Sequence, residues 1–89
     1  MISELEEIKR IFLREWDPIG VSDIPEAADE YDSYAFHVFT RLHQGASVAS
    51  IAEYLRWAET DNMGLSIGSG RIDEISEKVV QVHERSAER

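Results

Sequence analysis

The chain has 89 residues, 43% of them hydrophobic and 30% charged, with no cysteine; this is a globular balance for one domain over residues 1–89, with a modest core that no disulfide or thiolate zinc site can staple. Eighteen acidic against nine basic residues give a formal net charge of −9. That charge argues against nucleic-acid backbones and anionic membrane surfaces as partners, and permits a basic protein or a cation. The opening "MISELEEIKR" lacks a basic region followed by an apolar run, and no apolar run approaches the ~20 residues of a bilayer span, so a cytoplasmic location is expected.

Ile2 to Trp16 reads as an amphipathic helix, because Ile2, Leu5, Ile8, Phe12, Leu13 and Trp16 share a face at helical spacing. Ser3 and Glu6 have capping-box spacing at its start, and Glu6 and Arg10 form an i,i+4 pair on the wet side. Asp17-Pro18 stops it, since proline excludes helical backbone for the residue before it. Residues 17–27 then form a connector. Asp17-Pro18-Ile19-Gly20 has turn chemistry in which Asp17 bonds backbone N–H groups and Ile19 and Val21 tuck back onto the bundle. Ser22 or Asp23 is suited to cap a turn opened by Pro25.

The second helix is expected over about 28–44, with Tyr31, Tyr34, Ala35, Val38, Phe39 and Leu42 inward and Gly45 just past its end. Ser47 caps a third helix, Val48 to Asn62, whose apolar arc is Val48, Ile51, Ala52, Tyr54, Leu55 and Ala58, widened by Trp57. "GLSIGSGR" is a connector, and a fourth helix runs over about 71–85 on a narrow stripe of Ile72, Ile75, Val79 and Val82, with Glu74 and Lys78 as an outer pair. With no alternating strand pattern and no repeat, the fold expected is all-α, a compact bundle of four helices with short connections.

"WDPIGVSDIPEAADEYDSY" (16–34) resembles the signature of a family of small helical bacterial proteins of unknown function, in which a W-D-P-I-G turn is followed shortly by D-E-Y-D; "IAEYLRWAETDNMGL" (51–65) resembles that family's later segment. The resemblance implies a small helical domain and a bacterial source, and assigns no activity. Related small acidic families suggest immunity or accessory roles.

The acids Asp17, Asp23, Glu26, Asp29, Glu30 and Asp32 crowd one stretch with no base after Arg14. Carboxylates in a helix's first turn are favoured by its dipole, which accounts for Asp29, Glu30 and Asp32 without a ligand. The functional readings are a docking surface for a basic partner, or a divalent cation held by Asp17, Asp29, Glu30 and Asp32, although the stretch lacks the spacing of an EF-hand loop. His37, His43 and His83 fall in no zinc-ligand spacing and read as packed or surface histidines, so no metal ligand and no cofactor is assigned. No serine sits in a nucleophile motif, and Gly68-Ser69-Gly70 lacks the lysine of a phosphate loop. Phe36 and Trp57 lie off the centres of their stripes; wide apolar arcs would bury them, and if exposed they become the best candidates for a partner or homodimer contact. The leading expectation is a non-catalytic binding or accessory domain. It presents Asp17, Asp23, Glu26, Asp29, Glu30, Asp32 and Trp57 to a basic protein, with an immunity- or inhibitor-like role as one form. The alternatives are a divalent-metal-binding protein or enzyme, and a homodimeric structural protein.

Overall fold

The computed structural model describes residues 2–65 and 70–87. They form an all-α bundle of four helices: α1 (Glu4–Ile11), α2 (Asp32–His43), α3 (Val48–Trp57) and α4 (Ile72–Ala87). No strand occurs among the described residues, and no helix there is long and apolar enough to cross a membrane.

Side-chain caps open α1 and α3, and backbone bonds close α2. Ser3 accepts the Glu6 N–H and Ser47 the Ser50 N–H, both at 3.2 Å, which are N-caps worth about 1 kcal/mol each. α2 stops in a paired C-terminal motif: the Gly45 N–H reaches the Leu42 carbonyl and the Ala46 N–H the Arg41 carbonyl, both at 3.0 Å. This closure needs a left-handed residue at Gly45, which has φ 90°. The tight reversal brings α3 back against α2.

α1 and α3 end unexpectedly. The expected helices 2–16 and 48–62 are each divided, the last five residues forming a wider π turn at Phe12–Trp16 and Ala58–Asn62. Their closing bonds run five residues back, from the Asp17 N–H to the Phe12 carbonyl and from the Met63 N–H to the Ala58 carbonyl, both at 2.8 Å. The two turns face each other. The Trp16 indole N–H of one donates to the fully buried Glu59 carboxylate of the other at 2.7 Å. Phe12 and Tyr31 pack on Trp16 with ring centroids 4.9 and 5.6 Å away, so an aromatic knot surrounds this polar link.

α2 begins at Asp32 rather than near residue 28. A separate 3₁₀ turn, Pro25–Ala27, and further turns precede it. Asp29 and Glu30 therefore lie outside the first helical turn, and only Asp32 among the three acids gains the dipole directly. The core joins all four helices: Ile8 and Phe12 from the first segment, Val38 and Leu42 from α2, Ile51 and Leu55 from α3, and Ile75, Val79 and Val82 from α4. α1 runs antiparallel to α4, tied by Glu7–Arg85 (3.1 Å) and Glu15–Lys78. Two expected surface pairs give way to other partners: Lys78 reaches Glu15 while Glu74 meets Arg71 at 3.8 Å, and Glu6 meets Lys9 rather than Arg10. Ile2 and Ile19, both expected inward, are exposed.

Candidate functional site

The corner after α1 is built around Asp17, the one described non-glycine residue with positive φ, at 32°. Aspartate tolerates that left-handed backbone because its short carboxylate bonds nearby. Here one oxygen accepts from the Val21 N–H (2.8 Å) and the Tyr31 hydroxyl (2.7 Å), and the other from the Ser22 N–H (3.2 Å). The Tyr31 oxygen in turn accepts the Ile19 N–H at 3.2 Å. Burial alone would raise the Asp17 carboxyl, yet the bonds from Tyr31, Val21 and Ser22 together outweigh it and hold the group below its ordinary value. Burial, followed by donation to Asp17, pushes the Tyr31 phenol well above its usual range. Asp17 is thus a turn-forming residue whose oxygens are occupied, and Trp16 and Tyr31 are its buried supports.

The remaining acids of the stretch stay apart. Asp23, Glu26, Asp29 and Glu30 are exposed on the connector. Asp32 is half-buried, 3.8 Å from the Lys9 ammonium, which also lies 3.7 Å from Glu6. Asp17, Asp29, Glu30 and Asp32 do not bring their oxygens together around a point that a cation could occupy.

A concavity lies instead between α2 and α3. The groove encloses about 610 Å³ and is lined by Ser33, Tyr34, His37, Arg41, Ser50, Glu53, Tyr54, Trp57 and Asn62. Trp57 is 46% exposed and stacks on Tyr54 at 5.7 Å with planes 28° apart. The Arg41 guanidinium sits 4.6 Å above the Tyr54 ring, a cation–π contact already made within the chain. The Asn62 amide donates to the Tyr34 hydroxyl at one end, joining α2 to the π turn that follows α3. Phe36, 54% exposed, stands on the same helix as Tyr34, His37 and Arg41. Phe36 and Trp57 are therefore surface aromatics, because the reversal at Gly45 turns the off-centre edges of α2 and α3 outward.

No family model matches the chain, and neither the curated proteins nor the solved structures contain a match. The resemblance rests on the quoted segments 16–34 and 51–65 alone.

The opposite end of the bundle gathers three ligand-type side chains from three helix termini. Glu4 lies in the first turn of α1, His43 in the last turn of α2, and His83 near the end of α4. One Glu4 oxygen is 3.2 Å from His43 Nε2 and the other 2.9 Å from His83 Nδ1. The two imidazole centroids are 4.7 Å apart, and Phe39 packs against His43 at 4.5 Å. Sequence spacing gives no sign of this group, since its members are 39 and 40 positions apart and meet only when α1, α2 and α4 pack. Glu59 was also missed, although a signal existed: it follows Ile51, Ala52, Leu55 and Ala58 on the apolar arc at helical spacing. The Gly68-Ser69-Gly70 connector reading falls largely on residues 66–69, outside the described residues.

Proposed function

We propose that the protein is a non-catalytic binding domain that docks a basic segment of a protein partner across the α2–α3 groove. The observation that carries this reading is the exposed Trp57–Tyr54 stack, whose ring faces suit a guanidinium or ammonium group; Arg41 already makes that contact on Tyr54 from within. Charge supports the choice of partner. Glu53 lines the groove, and the whole chain carries −9. Such a field accelerates encounter with a cation-rich segment, while aromatic contacts govern how slowly it leaves.

Titration with an arginine-rich peptide and an acidic control of equal length, followed by calorimetry and by emission from exposed Trp57, tests the reading. The arginine-rich peptide is expected to bind, more weakly as salt is raised, and Trp57→Ala to abolish binding with helix content unchanged. Equal binding of both peptides, or binding that survives Trp57→Ala, rejects the groove as the docking site. Self-association of the free protein in light scattering at high concentration, lost in Trp57→Ala, would assign the same surface to a homodimer instead.

A further inference from the structure

We propose that Glu4, His43 and His83 form a binding site for a divalent transition-metal ion of the zinc class, independent of the α2–α3 groove. Their ligand atoms all lie within 4.8 Å of one another. A tetrahedral ion with bonds of roughly 2.0–2.1 Å places its ligand atoms about 3.3 Å apart. The two observed carboxylate–imidazole separations, 3.2 Å from one Glu4 oxygen to His43 and 2.9 Å from the other oxygen to His83, are each close to that edge length, so either oxygen already stands at ligand distance from one imidazole. With one Glu4 oxygen serving both histidines, no pair in the set is farther apart than 4.8 Å, so no separation has to close by more than about 1.5 Å. His43, whose side chain is 51% exposed, has the freedom to supply that movement, while Glu4 at 9% is held firmly.

The chemistry of the set fits the ion. Imidazole nitrogen with one carboxylate oxygen suits zinc and its neighbours, whereas magnesium and calcium require mostly oxygen ligands. Three protein ligands leave a fourth position for water. His43 lies in the last turn of α2, where the backbone dipole is negative and favours a cation. In the metal-free form the imidazole nitrogens lie within hydrogen-bond distance of Glu4; to bind the ion each neutral ring presents the lone pair of that nitrogen and carries its single N–H proton on the other one.

The full chain, stripped with a chelator and dialysed, is titrated with Zn²⁺ by calorimetry and with Co²⁺ by visible absorption. One ion per chain, a rise in melting temperature and a cobalt ligand-field band are expected, with no response to Mg²⁺. His43→Gln and His83→Gln are each expected to cost more than the roughly 10–100-fold that loss of an outer-shell partner costs, and to remove the cobalt band. Circular dichroism of each variant confirms that the fold persists; His43, being half exposed, is the milder change. Absence of stoichiometric binding at millimolar metal, or binding by both variants as tight as the parent's, overturns the assignment and leaves a purely hydrogen-bonded Glu–His cluster.

Discussion

At the scale of single residues, the Asp17–Tyr31 pair sets a pH window. Asp17 is held below its ordinary pKa, so folding gains from its charged form, and that gain disappears as the pH falls below about 4. Tyr31 is shifted upward, so its contribution is complete below about pH 10 and is lost as the pH rises beyond it, where the unfolded phenol ionises first. The pair's contribution to the melting temperature should therefore be complete and independent of pH between roughly 5 and 9, and should fall away at both ends. Tyr31→Phe leaves the Ile19 N–H without its acceptor and Asp17 without one donor, an expected loss of about 1–2 kcal/mol at neutral pH. The alkaline component should vanish with it, which a tyrosinate absorbance titration run beside the melts would check. The role of Asp17 was legible from Asp-Pro-x-Gly because local turn chemistry determines it. The tie from Asp17 to Tyr31 was not, because a side-chain bond across fourteen positions leaves no local pattern.

At the scale of elements, four helices were readable from apolar periodicity, capping serines and Gly45, all signals that act within one or two turns. The two π turns were not. The apolar spacing of residues 8–16 and 51–59 is compatible with a continuous α-helix, and the widening answers a tertiary demand: Trp16 and Glu59 must meet inside a packed core. The start of α2 was misplaced for a related reason, since Pro25 and the acids after it are good helix openers locally while the Tyr31–Asp17 bond anchors the chain elsewhere. The Trp16–Glu59 link can be isolated by a double-mutant cycle. Trp16→Phe and Glu59→Leu should each destabilise, and the double variant should recover about 1.5–3 kcal/mol relative to their sum, because the carboxylate and its indole donor leave together. Denaturant unfolding of the four proteins measures it; strict additivity would mean that the contact carries no coupling energy. The sites obey the same rule as the elements. The acids of 17–32 were visible at once because they crowd one stretch, yet the fold separates them: Asp17 is tied into its turn, Asp32 opens α2, and Asp23, Glu26, Asp29 and Glu30 lie exposed between. Glu4, His43 and His83 were individually unremarkable, and packing alone unites them.

At the scale of the molecule, a charge of −9 on 89 residues makes the compact state repel itself. Screening by salt should relieve that repulsion more in the folded chain than in the expanded one, so the melting temperature is expected to rise between low ionic strength and about 0.15 M, where the Debye length has fallen to about 8 Å. Sodium and potassium chloride should act alike, which separates this general effect from the ion-specific response expected at Glu4, His43 and His83. A flat or falling melting temperature would show that the surface pairs Glu7–Arg85 and Glu15–Lys78 outweigh the repulsion.

The wide turns at Phe12–Trp16 and Ala58–Asn62 also make chain length a structural variable. Each closes with one residue more than an α-turn encloses, so each carries one residue that a regular helix would not need at that place. Removing that surplus residue restores ordinary i→i+4 closure and leaves the segments on either side roughly in phase, because the wide turn spends five residues on about the angle that four cover in an α-helix. A one-residue deletion inside α1 or α3 instead rotates everything beyond it by about 100° around the helix axis. The bundle is thus exacting about length within α1 and α3, and the turns that follow them are the places where it can lose a residue at least cost.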